Sequence, residues 1–102
     1  MGNRKWVFTT RLKQARERKG VSQRRLGILM GFHEDSASSR VNHYEHGRHE
    51  PGYETVKRMA KVLGVPMAYF YAEDDLLAEV ILLVDASSDA AKRKMLRALR
   101  PR

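Results

Sequence analysis

Apolar residues recur at helical spacing along most of the chain, and glycines or prolines punctuate the runs. Positions three and four apart share one side of a helix, so each such run marks a face to be buried. Leu12 and Ala15, with the stem of Lys19, predict a first helix that Thr9 or Thr10 caps and Gly20 ends. Leu26, Leu29 and Met30 predict a second, opened by Ser22 and stopped by Gly31. Ala37, Val41 and Tyr44 predict a third, from Asp35 or Ser36 to His46, stopped by Gly47. Pro51 blocks continuation, and Val56, Met59, Ala60 and Leu63 then predict a fourth helix over residues 53–63, ended by Gly64. Pro66 suits the first position of a fifth, whose Met67 and Phe70, with Tyr69 and Tyr71, complete the core.

The pattern changes after residue 72. Glu73, Asp74 and Asp75 suit a helix start, but Leu76, Leu77, Val80, Ile81, Leu82, Leu83 and Val84 make the helix apolar nearly all round. Ser87 or Ser88 then caps a last helix, with Ala91, Met95, Leu96 and Leu99 inward. Its Lys92, Arg93, Lys94, Arg97 and Arg100 point outward. The first eight residues read as a short arm. Trp6 and Phe8 are large enough to need cover from the domain or a partner, and Arg4 and Lys5 are placed to touch a phosphate or a minor groove. A frayed basic tail is the plainer reading of the arm.

The outer face of the third helix carries Ser38, Ser39, Asn42, His43 and His46. An ordinary surface helix carries Glu, Lys and Gln; these residues are indifferent helix formers that offer both donors and acceptors. Such a face suits reading base edges in a major groove, which admits one α-helix. Arg24 and Arg25 open the second helix, where cations oppose the macrodipole and a bound phosphate would reverse the sign.

Charge supports that reading. The 102 residues carry a formal net charge of +8, and residues 1–72 hold 14 Lys or Arg against 6 Asp or Glu. Residues 73–102 hold 6 of each, so the whole excess lies with the first five helices, as expected of a nucleic-acid-binding domain. A basic membrane-surface helix is the weaker rival, since no basic stretch has a long apolar face. There is no cysteine, which excludes disulfides and is compatible with a reducing, cytoplasmic setting. The longest apolar run, residues 80–84, is too short to span a bilayer, and no secretory signal is evident.

The stretches SQRRL, MG, RVNHYEHGRHEP and ETVKRMAKVLGVP resemble the phage-repressor (XRE-type, Cro-like) helix-turn-helix family, over roughly residues 8–71. One departure stands out: more residues than usual separate Gly31 from Tyr44, with HEDSAS as the extra material. Either the recognition helix starts earlier or the turn is longer. The resemblance implies an all-α fold, a five-helix repressor-type domain over residues 8–72 with two additional C-terminal helices over 73–102. It implies a sequence-specific double-stranded DNA-binding regulator, most often a repressor, that inserts the helix around residues 36–46. Gln23, Arg24, Ser38, Ser39, Arg40, Asn42, His43 and Arg48 are the expected DNA contacts, His43 at the family's base-reading position. The family also implies a structural ion pair between Arg16 and Glu45.

His43, His46 and His49 are evenly spaced, which invites a metal, but Gly47 interrupts the helix between them and no cysteine joins them. No metal or cofactor is expected, and no catalytic constellation is evident. The broad apolar segment predicts a homodimer built by Leu77, Val80, Ile81 and Val84, with the last helix contributing. The alternative is an antitoxin-type interaction module that binds a small protein partner, a toxin, and represses its own promoter.

Overall fold

The structure, a computed structural model, describes residues 4–101, with the side chain of Arg4 left out. Met1, Gly2 and Asn3 of the expected arm lie outside the described residues, as do the contacts of Arg4 and all of Arg102. The described residues form six α-helices and one 3-10 helix and no strand. They are α1 (Arg4–Lys19), α2 (Gln23–Leu29), α3 (Glu34–Glu45), α4 (Tyr53–Leu63), the 3-10 helix Met67–Tyr71, α5 (Asp75–Asp85) and α6 (Asp89–Leu99). Counting the 3-10 helix as the fifth element, the all-α five-plus-two architecture matches the expectation.

The core is drawn from α1 to α4 and the 3-10 helix. Phe70, Leu12, Leu26, Met30, Met59, Val41 and Val56 are its largest fully buried side chains. Phe8 packs its ring 5.4 Å from that of Phe70, which ties the start of α1 to the 3-10 helix. Three helix starts are capped from sequence-local oxygens: Ser22 Oγ accepts from Arg25 N at 2.9 Å, Asp74 Oδ2 from Leu77 N at 3.0 Å, and Ser88 Oγ from Ala91 N at 3.1 Å. Each satisfies an amide that the helix itself leaves open.

Several expectations are corrected. No threonine caps α1: the helix already runs from Arg4, and Thr9 Oγ1 donates to the Trp6 carbonyl within it. Lys19 is exposed, and Trp6 is 64% exposed rather than packed back on the domain. Leu29 also faces solvent, because Leu26, Gly27 and Met30 take up the short contact face of α2. Pro66 sits just outside its helix as the cap residue, not inside it. On α6, Ala91 and Met95 are half-buried while Leu96 and Leu99 are exposed.

The C-terminal helices extend the molecule to 55 × 31 × 22 Å. On α5, Ala78 is buried and Ile81 and Leu82 pack against the core. The opposite side exposes Leu76, Val80 and Leu83 in one row, with Leu77 beside them. Arg11 anchors the start of this helix. Its side chain is nearly buried, and it donates to the Ala72 carbonyl at 2.9 Å, to Asp75 Oδ1 at 2.9 Å and to Gln14 Oε1 at 3.0 Å. No helix among the described residues is long and apolar enough to cross a membrane.

Candidate nucleic-acid interface

The pair α2 and α3 is packed unusually closely at one point. A Cβ placed on Gly27 would lie 2.6 Å from the Ala37 carbonyl oxygen and 2.7 Å from the Ala37 Cβ. Only glycine lets the two backbones approach this far. Gly31, at φ +93°, makes the turn between them in a conformation that side chains disfavour. Phe32 and His33 follow, and α3 begins at Glu34. His33 caps it through its ring: Nδ1 accepts from Asp35 N at 3.1 Å. The HEDSAS residues are thus absorbed by an earlier helix start, not by a longer turn.

Behind α3, Glu45 is held by a network. Arg16 Nε donates to Glu45 Oε2 at 2.5 Å and a second guanidinium nitrogen donates to Oε1 at 3.2 Å, a bidentate pair. Arg16 also donates to the Val21 carbonyl at 3.0 Å, and Gln23 Nε2 donates to Glu45 Oε1 at 3.1 Å. The Glu45 side chain is only 2% exposed and that of Arg16 14%. The hydrogen bond to Glu45 raises the Arg16 pKa against the opposing effect of burial, so the guanidinium stays charged at every ordinary pH. This network locks the C-terminal end of α3 to α1 and to the first residue of α2.

In front, α3 presents Asp35, Ser39, Asn42 and His46 at i, i+4, i+7 and i+11, one continuous crest. Asp35, Ser39 and His46 are exposed. His43 lies beside the crest with its ring centroid 5.1 Å from that of His49. Arg40, one turn earlier on the same side as His43, has its guanidinium carbon 3.9 Å from the centroid of the Phe32 ring, a cation–π contact. At the helix-pair turn, Arg58 donates to the Met30 carbonyl at 3.0 Å and holds α4 against the end of α2.

A helix-turn-helix domain model matches residues 7–68, more than half of the chain. The chain belongs to the helix-turn-helix domain family. A search of curated proteins gave no match. Among solved structures, the crystal structure of the transcriptional regulator BswR is 48% identical with a TM-score of 0.85, over 89% of this chain and 90% of that one. That span is longer than the matched domain, so the similarity runs on into the C-terminal helices.

Within the helix-turn-helix, α2 is the first helix and α3 the second. The structure brings together most of the residues singled out from the sequence. Ser38, Ser39 and Arg40 are exposed on α3, and Arg48 is exposed just after it. Asn42 and His43 are half-buried. Asn42 Nδ2 points at Gln23 Oε1 across 3.5 Å, so both amides are turned partly into the domain. Gln23 serves the Glu45 network, which spacing alone did not indicate. Arg24 lies 3.6 Å from Glu34 in an exposed pair, while Arg25 has no carboxylate partner among the described residues. The histidines do not form a ligand set: His46 Nδ1 lies 2.9 Å from the Asn42 carbonyl of its own helix. No three described His, Asp or Glu side chains converge as a metal site.

Four contributors escaped the sequence reading. Gly27 inside a helix is a signal for close approach that the pattern contained. Phe32 and His33 lie between Gly31 and α3, and their ring contacts depend on where α3 starts. Asp35 joins the crest only once that start is known.

Proposed function

We propose that the chain is a sequence-specific double-stranded DNA-binding transcriptional regulator, acting as a repressor, that inserts α3 into the major groove as a homodimer. The observation that carries this reading is the outer crest of α3. From Ser39 onward it carries polar donors and acceptors, Ser39 and His46 exposed and Asn42 half-buried, flanked by Arg40 and Arg48 and backed by a buried ion pair. Base readout needs hydrogen-bonding groups of this kind on a rigid helix, and phosphate contacts at its margins. Arg25, without a carboxylate partner among the described residues, and Arg24 stand exposed at the start of α2, where they can meet a phosphate. The similarity to BswR, a transcriptional regulator, supports a regulatory role. The protein is placed with the DNA it binds, in the cytoplasm, and needs no cofactor for this act.

The C-terminal unit, residues 73–102, supplies dimerisation in this reading. Leu76, Leu77, Val80 and Leu83 form the exposed stripe, and Val84 borders it. Ile81, expected in the interface, faces the core instead. A two-fold pair places two α3 helices on one side of a duplex with half-sites about 10 base pairs apart, or a multiple. A repressor then acts by occupying its site and excluding other proteins from it. The same exposed stripe favours one second reading, an antitoxin-type module with a small protein partner.

Selection of bound sites from random duplex DNA tests the function. The expected result is a palindromic motif bound at low micromolar protein or below. Recovery of no sequence preference, with equal binding to every duplex, would overturn it.

A further inference from the structure

We propose that Asp35 is a specificity-determining residue that accepts a hydrogen bond from the exocyclic amino group of a cytosine in each half-site. This rests on the reading of α3 as the helix that enters the major groove. The first turn of such a helix is the part that reaches base edges. With α3 starting at Glu34, Asp35 stands in that turn and heads the crest. From Asp35 to His46 the crest runs about 16 Å at about 1.5 Å per residue, enough to face roughly five base pairs.

The Asp35 carboxylate is 86% exposed and lies 3.6 Å from His33 Nδ1. That nitrogen already accepts the Asp35 backbone N–H at 3.1 Å, so in this arrangement it carries no proton to donate. The contact therefore sets two acceptors side by side and leaves the carboxylate without a donor among the described residues. A bare carboxylate on a DNA-facing crest is repelled by phosphates, in a domain that is otherwise strongly basic. It is tolerated where the groove floor offers an amino donor. Cytosine offers N4 with no acceptor on its own major-groove edge; adenine sets N7, an acceptor, beside its amino group. The chemistry therefore selects cytosine.

The competing explanation is that Asp35 merely complements the helix dipole. Glu34 provides the control, since it adds the same charge to the same turn. It lies about 100° round the helix, toward α2, within 3.6 Å of Arg24. Site selection and equilibrium binding are run on the full-length wild type, Asp35→Ala, Asp35→Asn and Glu34→Gln, with a thermal melt of each. The wild type is expected to require one C·G pair per half-site, by roughly 5- to 100-fold over other pairs. Asp35→Ala should lose that preference and bind unrelated DNA more tightly. Asp35→Asn, which keeps the shape and replaces the carboxylate with an amide, should move the preference to adenine. Glu34→Gln should keep the cytosine. A wild-type motif left unchanged in both Asp35 variants would overturn the assignment while leaving the DNA-binding reading intact. Uniform weakening on all sequences with a lowered melt would also overturn it. A wild type with no motif at all would overturn both readings.

Discussion

The buried carboxylate of Glu45 depends on Arg16 for its charge partner and on Gln23 for one further donor. Removing one member leaves an uncompensated charge in a site with little water. Arg16→Ala should therefore lower the unfolding free energy by about 3–5 kcal/mol, read from urea denaturation. The double change Arg16→Ala with Glu45→Ala should cost less than the sum of the singles, which marks coupling. Because the Arg16 pKa moves upward, the contribution of its guanidinium is present below its ordinary range and is lost only as pH rises through the raised value. Melting between pH 6 and 9 should show no transition from this pair. Arg48 is different: it is exposed and makes no ion pair among the described residues. Arg48→Ala should weaken binding to all duplexes alike and reduce the salt slope by about one, measured by titrating affinity against salt. An unchanged slope would remove Arg48 from the phosphate contacts.

At the scale of elements, the α2–α3 pair turns on Gly27. Alanine is the better helix former by up to about 1 kcal/mol, so propensity alone favours Gly27→Ala. The added methyl would meet Ala37 backbone at 2.6 Å, and neither helix can yield without moving the crest. Overpacking of this kind costs about 1–3 kcal/mol, so the net effect should be destabilising. The variant should melt at a lower temperature and lose operator affinity beyond what the lost stability explains. A stabilised variant with normal binding would mean the helices separate freely. The periodicity that predicts α2, α3 and α4 is local, and it placed these elements well. The end of α3 was legible from Gly47, a left-handed stop at φ +70°. Its beginning was not, since the cap is a histidine ring whose role depends on the turn conformation set by Gly31.

For the whole molecule, the distribution of apolar surface decides assembly. Leu76 and Leu83 are 69% and 63% exposed on the outer side of α5, with Val80 between them. Arg11 fixes this helix to α1, so the stripe is held in one orientation relative to α3. Sedimentation of the wild type should give a dimer at micromolar concentration. Val80→Asp should give a folded monomer with weakened operator binding, since Val80 points away from the core. Ile81→Asp is the less informative variant, because Ile81 is partly buried against the core and a charge there should also destabilise the fold. A wild type that is monomeric both free and on DNA would sink the homodimer and favour a heterologous partner.

The helices, most of their stops and the sign of the charge on the first 72 residues could be read from the chain before any contact was known. These depend on neighbours three and four apart, on glycine geometry and on composition, all of which are local or additive. The buried side of α5 could not be read that way. Its apolar residues run nearly all round, and only contact with the 3-10 helix and the rest of the core selects Ala78, Ile81 and Leu82. Packing also assigned Gln23 to Glu45, and let Arg11 bridge 61 residues of chain to reach Ala72. A polar side chain on a helix offers the same groups to solvent, to DNA or to another helix. Which of these it meets is set by residues far away in the chain, and no spacing within the helix records it.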